Sequence, residues 1–61
     1  MLLTTLLNTI PTKTEVWYYD YEDGWTHWGT AIVILSLIDG EGINGEVEYF
    51  IPKENAVMLY I

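Results

Sequence analysis

Sixty-one residues, nine acidic and two basic side chains, no cysteine and 51% apolar residues describe a small chain with a net charge of −7. That length allows one domain, residues 1–61, and no cleft between two. Without cysteine there is no disulfide framework and no thiolate zinc site, so packing alone must hold the fold.

The apolar half is too large for a disordered acidic tail. Lys13 and Lys53 are too few to neutralise the phosphates of a nucleic acid, and an anionic membrane is disfavoured for the same reason. No apolar run approaches the roughly 20 residues of a transmembrane helix. The segment Met1-Leu2-Leu3-Thr4-Thr5 lacks a basic stretch and Pro11 cuts its apolar run, so a cytoplasmic location is expected rather than export. A domain of this size buries only about 60% of its unfolded surface. Three Trp, five Tyr and one Phe therefore exceed what one small core can hide, which is an interface signal.

Along the chain, Leu2, Leu3, Leu6, Leu7 and Ile10 draw one stripe on a helix that Pro11 ends. About nine residues of helix are unstable alone and must dock on something. Glu15 to Tyr21 is aromatic and β-branched and reads as a strand, with Val16 and Tyr18 on one face and Trp17, Tyr19 and Tyr21 on the other. A polar-aromatic loop is expected over residues 22–29. Residues 31–38 are ambiguous. Their β-branched content favours a buried strand, while Thr30 as an N-cap and the Asp39-Gly40-Glu41-Gly42 punctuation also suit a helix.

Two further strands are expected over 46–51 and 56–61. A three-residue connection, Lys53-Glu54-Asn55, pairs Ile51 with Val57, Tyr49 with Leu59 and Val47 with Ile61, gathering all six on one apolar face. It requires a left-handed residue at its end, which Asn55 tolerates. The fold class is then α+β: a small antiparallel sheet of three to four strands, with the N-terminal helix and, if 31–38 is helical, a second short helix packed on one face. The opposite face carries Trp17, Tyr19, Tyr21, Phe50, Met58 and Tyr60 among Glu15, Glu46 and Glu48, with nothing left in the chain to cover it.

The order Leu2-Leu3, Ile10-Pro11, Glu15-Val16-Trp17-Tyr18-Tyr19-Asp20, then Gly29-Thr30-Ala31 with Leu35 and Leu37, then Glu46-Val47-Glu48-Tyr49 and Asn55 to Ile61 resembles small accessory proteins encoded by phages and other mobile elements of Gram-positive bacteria. The resemblance spans nearly the whole chain. It implies a short helix, a strand ending in an acidic turn, a second helix opened by Gly-Thr-Ala and a closing hairpin. It also implies a phage accessory or anti-defence role in the cytoplasm of a bacterial host.

Few residues invite chemistry. Asp20, Glu22 and Asp23 before Gly24 lack the alternating ligands and distal Glu of a calcium loop and read as a solvated turn. His27 has no second imidazole to share a metal, and Ser36 lies inside an apolar run. Gly40, Gly42 and Gly45 are followed by no lysine and form no phosphate cradle. No catalytic, cofactor or metal site is expected, and the chain reads as a non-enzyme. Trp25 and Trp28 stand out: tryptophan dominates binding hot spots, although either ring could instead cap the core edge.

The expected function is a small acidic protein-binding module, an inhibitor or anti-defence protein that occludes a basic, nucleic-acid-handling host protein. The expected contact set is Trp17, Tyr19, Tyr21, Trp25, Trp28, Phe50, Met58 and Tyr60, with Asp20, Glu22, Asp23, Glu46 and Glu48 as a carboxylate rim. Mimicry of a nucleic-acid backbone by those carboxylates is the weaker variant. The alternative is a structural homodimer whose aromatic faces pack together.

Overall fold

A computed structural model describes residues 1–41 and 45–60. Six elements follow in order: α1 (Leu3–Leu7), β1 (Glu15–Asp20), β2 (Gly24–Thr30), α2 (Ala31–Glu41), β3 (Tyr49–Lys53) and β4 (Ala56–Tyr60). The strands form one sheet in the order β2-β1-β4-β3. Each of its two hairpins is antiparallel, while the central β1–β4 pair is parallel. The α+β class and the small sheet with two helices follow the sequence expectation. The parallel centre arises because two hairpins are laid side by side, and a parallel pair needs a long crossover, which α2 helps to supply.

The first helix is shorter than its stripe suggests. Leu3, Leu6 and Leu7 are buried, but the helix ends before Asn8, four residues ahead of Pro11. Asn8 Nδ2 donates to the Thr4 carbonyl at 2.9 Å and Thr9 Oγ1 donates to the Leu6 carbonyl at 2.7 Å. These side chains occupy carbonyls near the helix end, and such local bonding competes with helix continuation.

Residues 31–38 are helical, against the strand that β-propensity favours. Burial at Ala31, Ile34 and Ile38 follows helical rather than alternating spacing. Thr30 is the last residue of β2, so helix follows strand with no intervening loop. The first helical N–H groups are met by backbone rather than by a Thr30 cap: Ala31 donates to the Thr14 carbonyl at 3.0 Å and Ile32 to the Thr12 carbonyl at 3.1 Å. Tertiary placement of those carbonyls overrides local propensity. Asp39 to Glu41 continue the helix, while Gly42 lies outside the described residues.

The expected loop over 22–29 is also corrected. Only residues 21–23 turn, and Gly24–Thr30 is strand β2. Gly24 enters it with φ 75, a conformation that glycine adopts without steric cost. The β1–β2 register slips between Val16 and Trp17, which face Gly29 and His27, so Trp28 is the extra residue of a bulge.

The core joins α1, α2 and one sheet face. Leu3, Leu6, Leu7, Ala31, Ile34 and Ile38 pack on Val16, Val57 and Leu59, with Val47 beside them. Val16, Val57, Leu59 and Val47 were all expected there. Tyr49 and Ile51 were too, and they are not. The C-terminal hairpin pairs Lys53 with Ala56, Ile51 with Met58 and Tyr49 with Tyr60 across a two-residue connection. Relative to the expected register this is a slip of one residue, which turns every β3 side chain over. The expected partner of Val47, Ile61, lies outside the described residues.

The segment before β3 pairs elsewhere. Val47 N donates to the Met1 carbonyl at 2.7 Å, and Leu2 bridges Glu46. Val47 is thus held by the N-terminal segment rather than by β4. Regular pairing begins only at Tyr49, so Glu46 and Glu48 no longer argue against the shorter connection. Asn55 does take the left-handed conformation, with φ 62.

A bare aromatic sheet face as candidate functional site

Strand alternation divides the sheet into two faces. The residues that alternate with Val16, Val57 and Leu59 form three rows across it. The first row is Tyr49, Tyr60, Tyr19 and Trp25, one from each strand; the second is Ile51, Met58, Trp17 and His27; the third holds Lys53, Ala56, Glu15 and Thr30. None of these residues belongs to the core or to the side chains packed against it. The helices lie on the other side.

The first row is an interlocked aromatic ladder. Ring centroids are 5.4 Å apart for Tyr49–Tyr60, 5.5 Å for Tyr19–Tyr60, 5.3 Å for Tyr19–Trp25 and 5.1 Å for Trp25–Tyr60. Tyr21, just past the end of β1, sets its ring edge-on to Tyr19 at 5.7 Å while staying 93% exposed. Tyr21, Glu48, Tyr49 and Tyr60 line a shallow depression of about 300 Å³. In the second row Trp17 packs edge-on against His27 at 5.0 Å, and His27 Nε2 hydrogen-bonds to Glu15 Oε2. Such pairs hold neighbouring strands together while leaving outer ring surfaces in water.

Of the expected contact residues, Trp17, Tyr19, Tyr21, Trp25, Met58 and Tyr60 therefore meet on one surface. Phe50 and Trp28 do not: the expected placement of Phe50 on this face is corrected, and Trp28 takes the core-edge position left open for it. The hairpin register sets Phe50 opposite Leu59, on the helix side at the sheet edge. Trp28 lies three residues beyond Trp25, so alternation sends the two rings to opposite faces. Trp28 meets Tyr18 edge-on at 5.6 Å and packs against the core.

The carboxylates scatter. Glu15 faces His27, Glu48 borders the tyrosine depression, and Glu22 and Asp23 are exposed in the turn beside Tyr21. Asp20 serves the turn itself, its Oδ1 accepting the Glu22 N–H at 2.8 Å. Glu46 pairs with the Met1 amine at 2.8 Å and stands apart from the ladder in a bridge to Leu2.

Sequence reasoning missed Tyr49 and Ile51 as members of the open face, and His27 as the partner of Glu15. The signal for the first pair was slight: an asparagine able to take positive φ serves a two-residue connection as well as a three-residue one. Among the described residues no helix is long and apolar enough to cross a membrane. A scan against protein-family models, a search of curated proteins and a search of solved structures each gave no match.

Proposed function

We propose that this chain is a protein-binding module of the phage accessory type, an inhibitor or anti-defence protein that covers a basic, nucleic-acid-handling surface of a host protein. One observation carries the reading: an aromatic ladder crosses all four strands on a face that, among the described residues, no helix covers. Tyrosine and tryptophan supply large contact area with few rotatable bonds and keep a polar edge for water or a partner. Glu15, Glu22, Asp23 and Glu48 around that face, and a net charge of −7, favour a positively charged partner and steer its approach.

The test is capture from a bacterial lysate by the wild type and by Tyr19→Ala, with folding checked by circular dichroism. The expected captured protein is basic, is released by added single-stranded DNA and is not retained by the variant. Its association should slow as salt rises. A partner retained equally by Tyr19→Ala removes the proposal.

A homodimer packed through its aromatic sheet faces is the second reading, favoured by the apolar second row of that face, Ile51, Met58 and Trp17, which lies outside the core. Pairing two bare sheet faces must overcome the repulsion of like-charged protomers, so this reading predicts a dimer strengthened by salt. Light scattering at low and high ionic strength separates the two readings.

A further inference from the structure

At the hairpin end of the sheet, the connection between α1 and β1 and the β3–β4 hairpin enclose a groove of about 300 Å³, bordered by Phe50, Pro52 and Val57 from the helix side and by Lys53 and Ala56 from the third row of the bare face. Ile10, Phe50, Pro52 and Val57 form its apolar wall. Phe50 is the informative residue. It stands opposite Leu59, which is fully buried, yet it keeps more than a third of its surface exposed where the groove opens. Lys13 and Lys53 line the same groove. They are the only basic side chains in a chain with nine carboxylates, and neither is ion-paired among the described residues. Both free cations of a strongly acidic protein therefore border one apolar groove.

Chemistry narrows the occupant. Pro52 sits within the edge strand β3 and offers no N–H, which opposes the addition of a peptide strand along that edge. What remains is apolar burial combined with positive charge. The volume equals roughly ten water-sized volumes of about 30 Å³ each, at the low end of ligand pockets. It suits one short alkyl chain.

We infer that this groove binds a free single-chain amphiphile with an anionic head, a medium-chain carboxylate, with the alkyl chain along Phe50 and Val57 and the carboxylate between Lys13 and Lys53. The site shares Lys53 with the third row of the bare face but none of the rings of the aromatic ladder, and it stands whether or not that ladder binds a protein.

The experiment is an amide-resonance NMR titration of the full chain with sodium octanoate below its micelle concentration. Octanol and anionic phospholipid vesicles serve as parallel arms, and the Lys13→Gln/Lys53→Gln variant is titrated alongside. Saturable shifts are expected at Phe50 and Val57, with octanoate binding about fivefold tighter than octanol, the scale of two exposed ion pairs. The double variant should keep its spectrum elsewhere and lose the preference for octanoate. Equal affinity for octanoate and octanol, shifts confined to Tyr19, Trp25 and Tyr60, or binding to vesicles without binding to octanoate would each overturn the inference.

Discussion

The two faces of this sheet are built from alternate residues of the same strands, yet they solve different problems. On the covered side, Val16, Val57 and Leu59 are aliphatic, almost wholly buried, and met by Leu3, Leu6, Leu7, Ile34 and Ile38 from the two helices. On the bare side, Trp17, Tyr19, Trp25, Met58 and Tyr60 are larger and only partly buried, and the rings of Tyr19, Trp25 and Tyr60 meet one another. Aliphatic side chains gain most where the fold supplies a cover, because their stabilisation scales with area removed from water. Tyrosine and tryptophan tolerate partial exposure, because ring edges and hydroxyls can remain hydrated while faces interlock. The covered face therefore sets the stability of the protomer, and the bare face leaves ring surface in contact with water.

Leu59 and Tyr60 are neighbours in β4 on opposite faces, and they give the sharpest test. Leu59→Ala opens a cavity beneath both helices and should cost about 3–4 kcal/mol. Against a total of roughly 3–9 kcal/mol expected for this length, that leaves much of the chain unfolded at physiological temperature. Urea denaturation followed by circular dichroism measures it. Tyr60→Ala removes ring contacts with Tyr19, Trp25 and Tyr49 but opens no enclosed cavity. It should cost about 2 kcal/mol, from partial burial and ring pairing, and should abolish partner capture by the molecules that remain folded. Equal costs at the two positions would erase the distinction between the faces.

How far this distinction was legible in the sequence differs element by element. The alternation of Val16 and Tyr18 against Trp17 and Tyr19 is local, and strand β1 delivers it unchanged. Of the leucine stripe of α1, Leu3, Leu6 and Leu7 are buried, whereas Leu2 is exposed and Ile10 lies beyond the helix, which ends at Asn8 and Thr9 before Pro11. What failed depended on distant backbone. The helix α2 has aliphatic residues on its exposed side as well as its buried side, so no polar stripe marked it as amphipathic. Its first N–H groups find carbonyls at Thr12 and Thr14, seventeen to twenty residues earlier in the chain. Strand β2 is hidden by glycines at Gly24 and Gly29 and by polar residues between its tryptophans. The β3 register depended on where pairing starts: the Val47 N–H goes to the Met1 carbonyl, whereas the Glu48 N–H goes to the Tyr60 carbonyl of β4. As a result, most of the bare face was readable, whereas Tyr49, Ile51 and Phe50 exchanged sides.

The bulge in β2 is where the faces could become confused. Gly29 has φ 148, a region that side chains rarely adopt, while a Cβ placed there would meet Val33 and Ile34 only at ordinary distances, 3.8–4.0 Å. Gly29→Ala should therefore cost about 1 kcal/mol through backbone conformation rather than collision. Its diagnostic effect is on Trp28, the extra residue of the bulge, whose ring packs against Tyr18 on the covered side. Near-ultraviolet circular dichroism should report altered tryptophan packing, with capture through Tyr19 and Tyr60 retained. Loss of capture at unchanged stability would mean that the bulge shapes the bare face.

The smallest expected effect concerns the charged row of the bare face. Glu15 and His27 are both about half exposed, and their hydrogen bond holds the imidazole against Trp17. An exposed pair of this kind contributes little to stability, so Glu15→Gln should change the unfolding free energy by less than about 0.5 kcal/mol. If the face receives a basic partner, the same substitution should slow association at low salt while leaving dissociation nearly unchanged, because a rim charge acts mainly on encounter. A large loss of stability would instead make Glu15 part of the framework. The third row would then belong with the covered face in what it does, although it lies on the other side of the sheet.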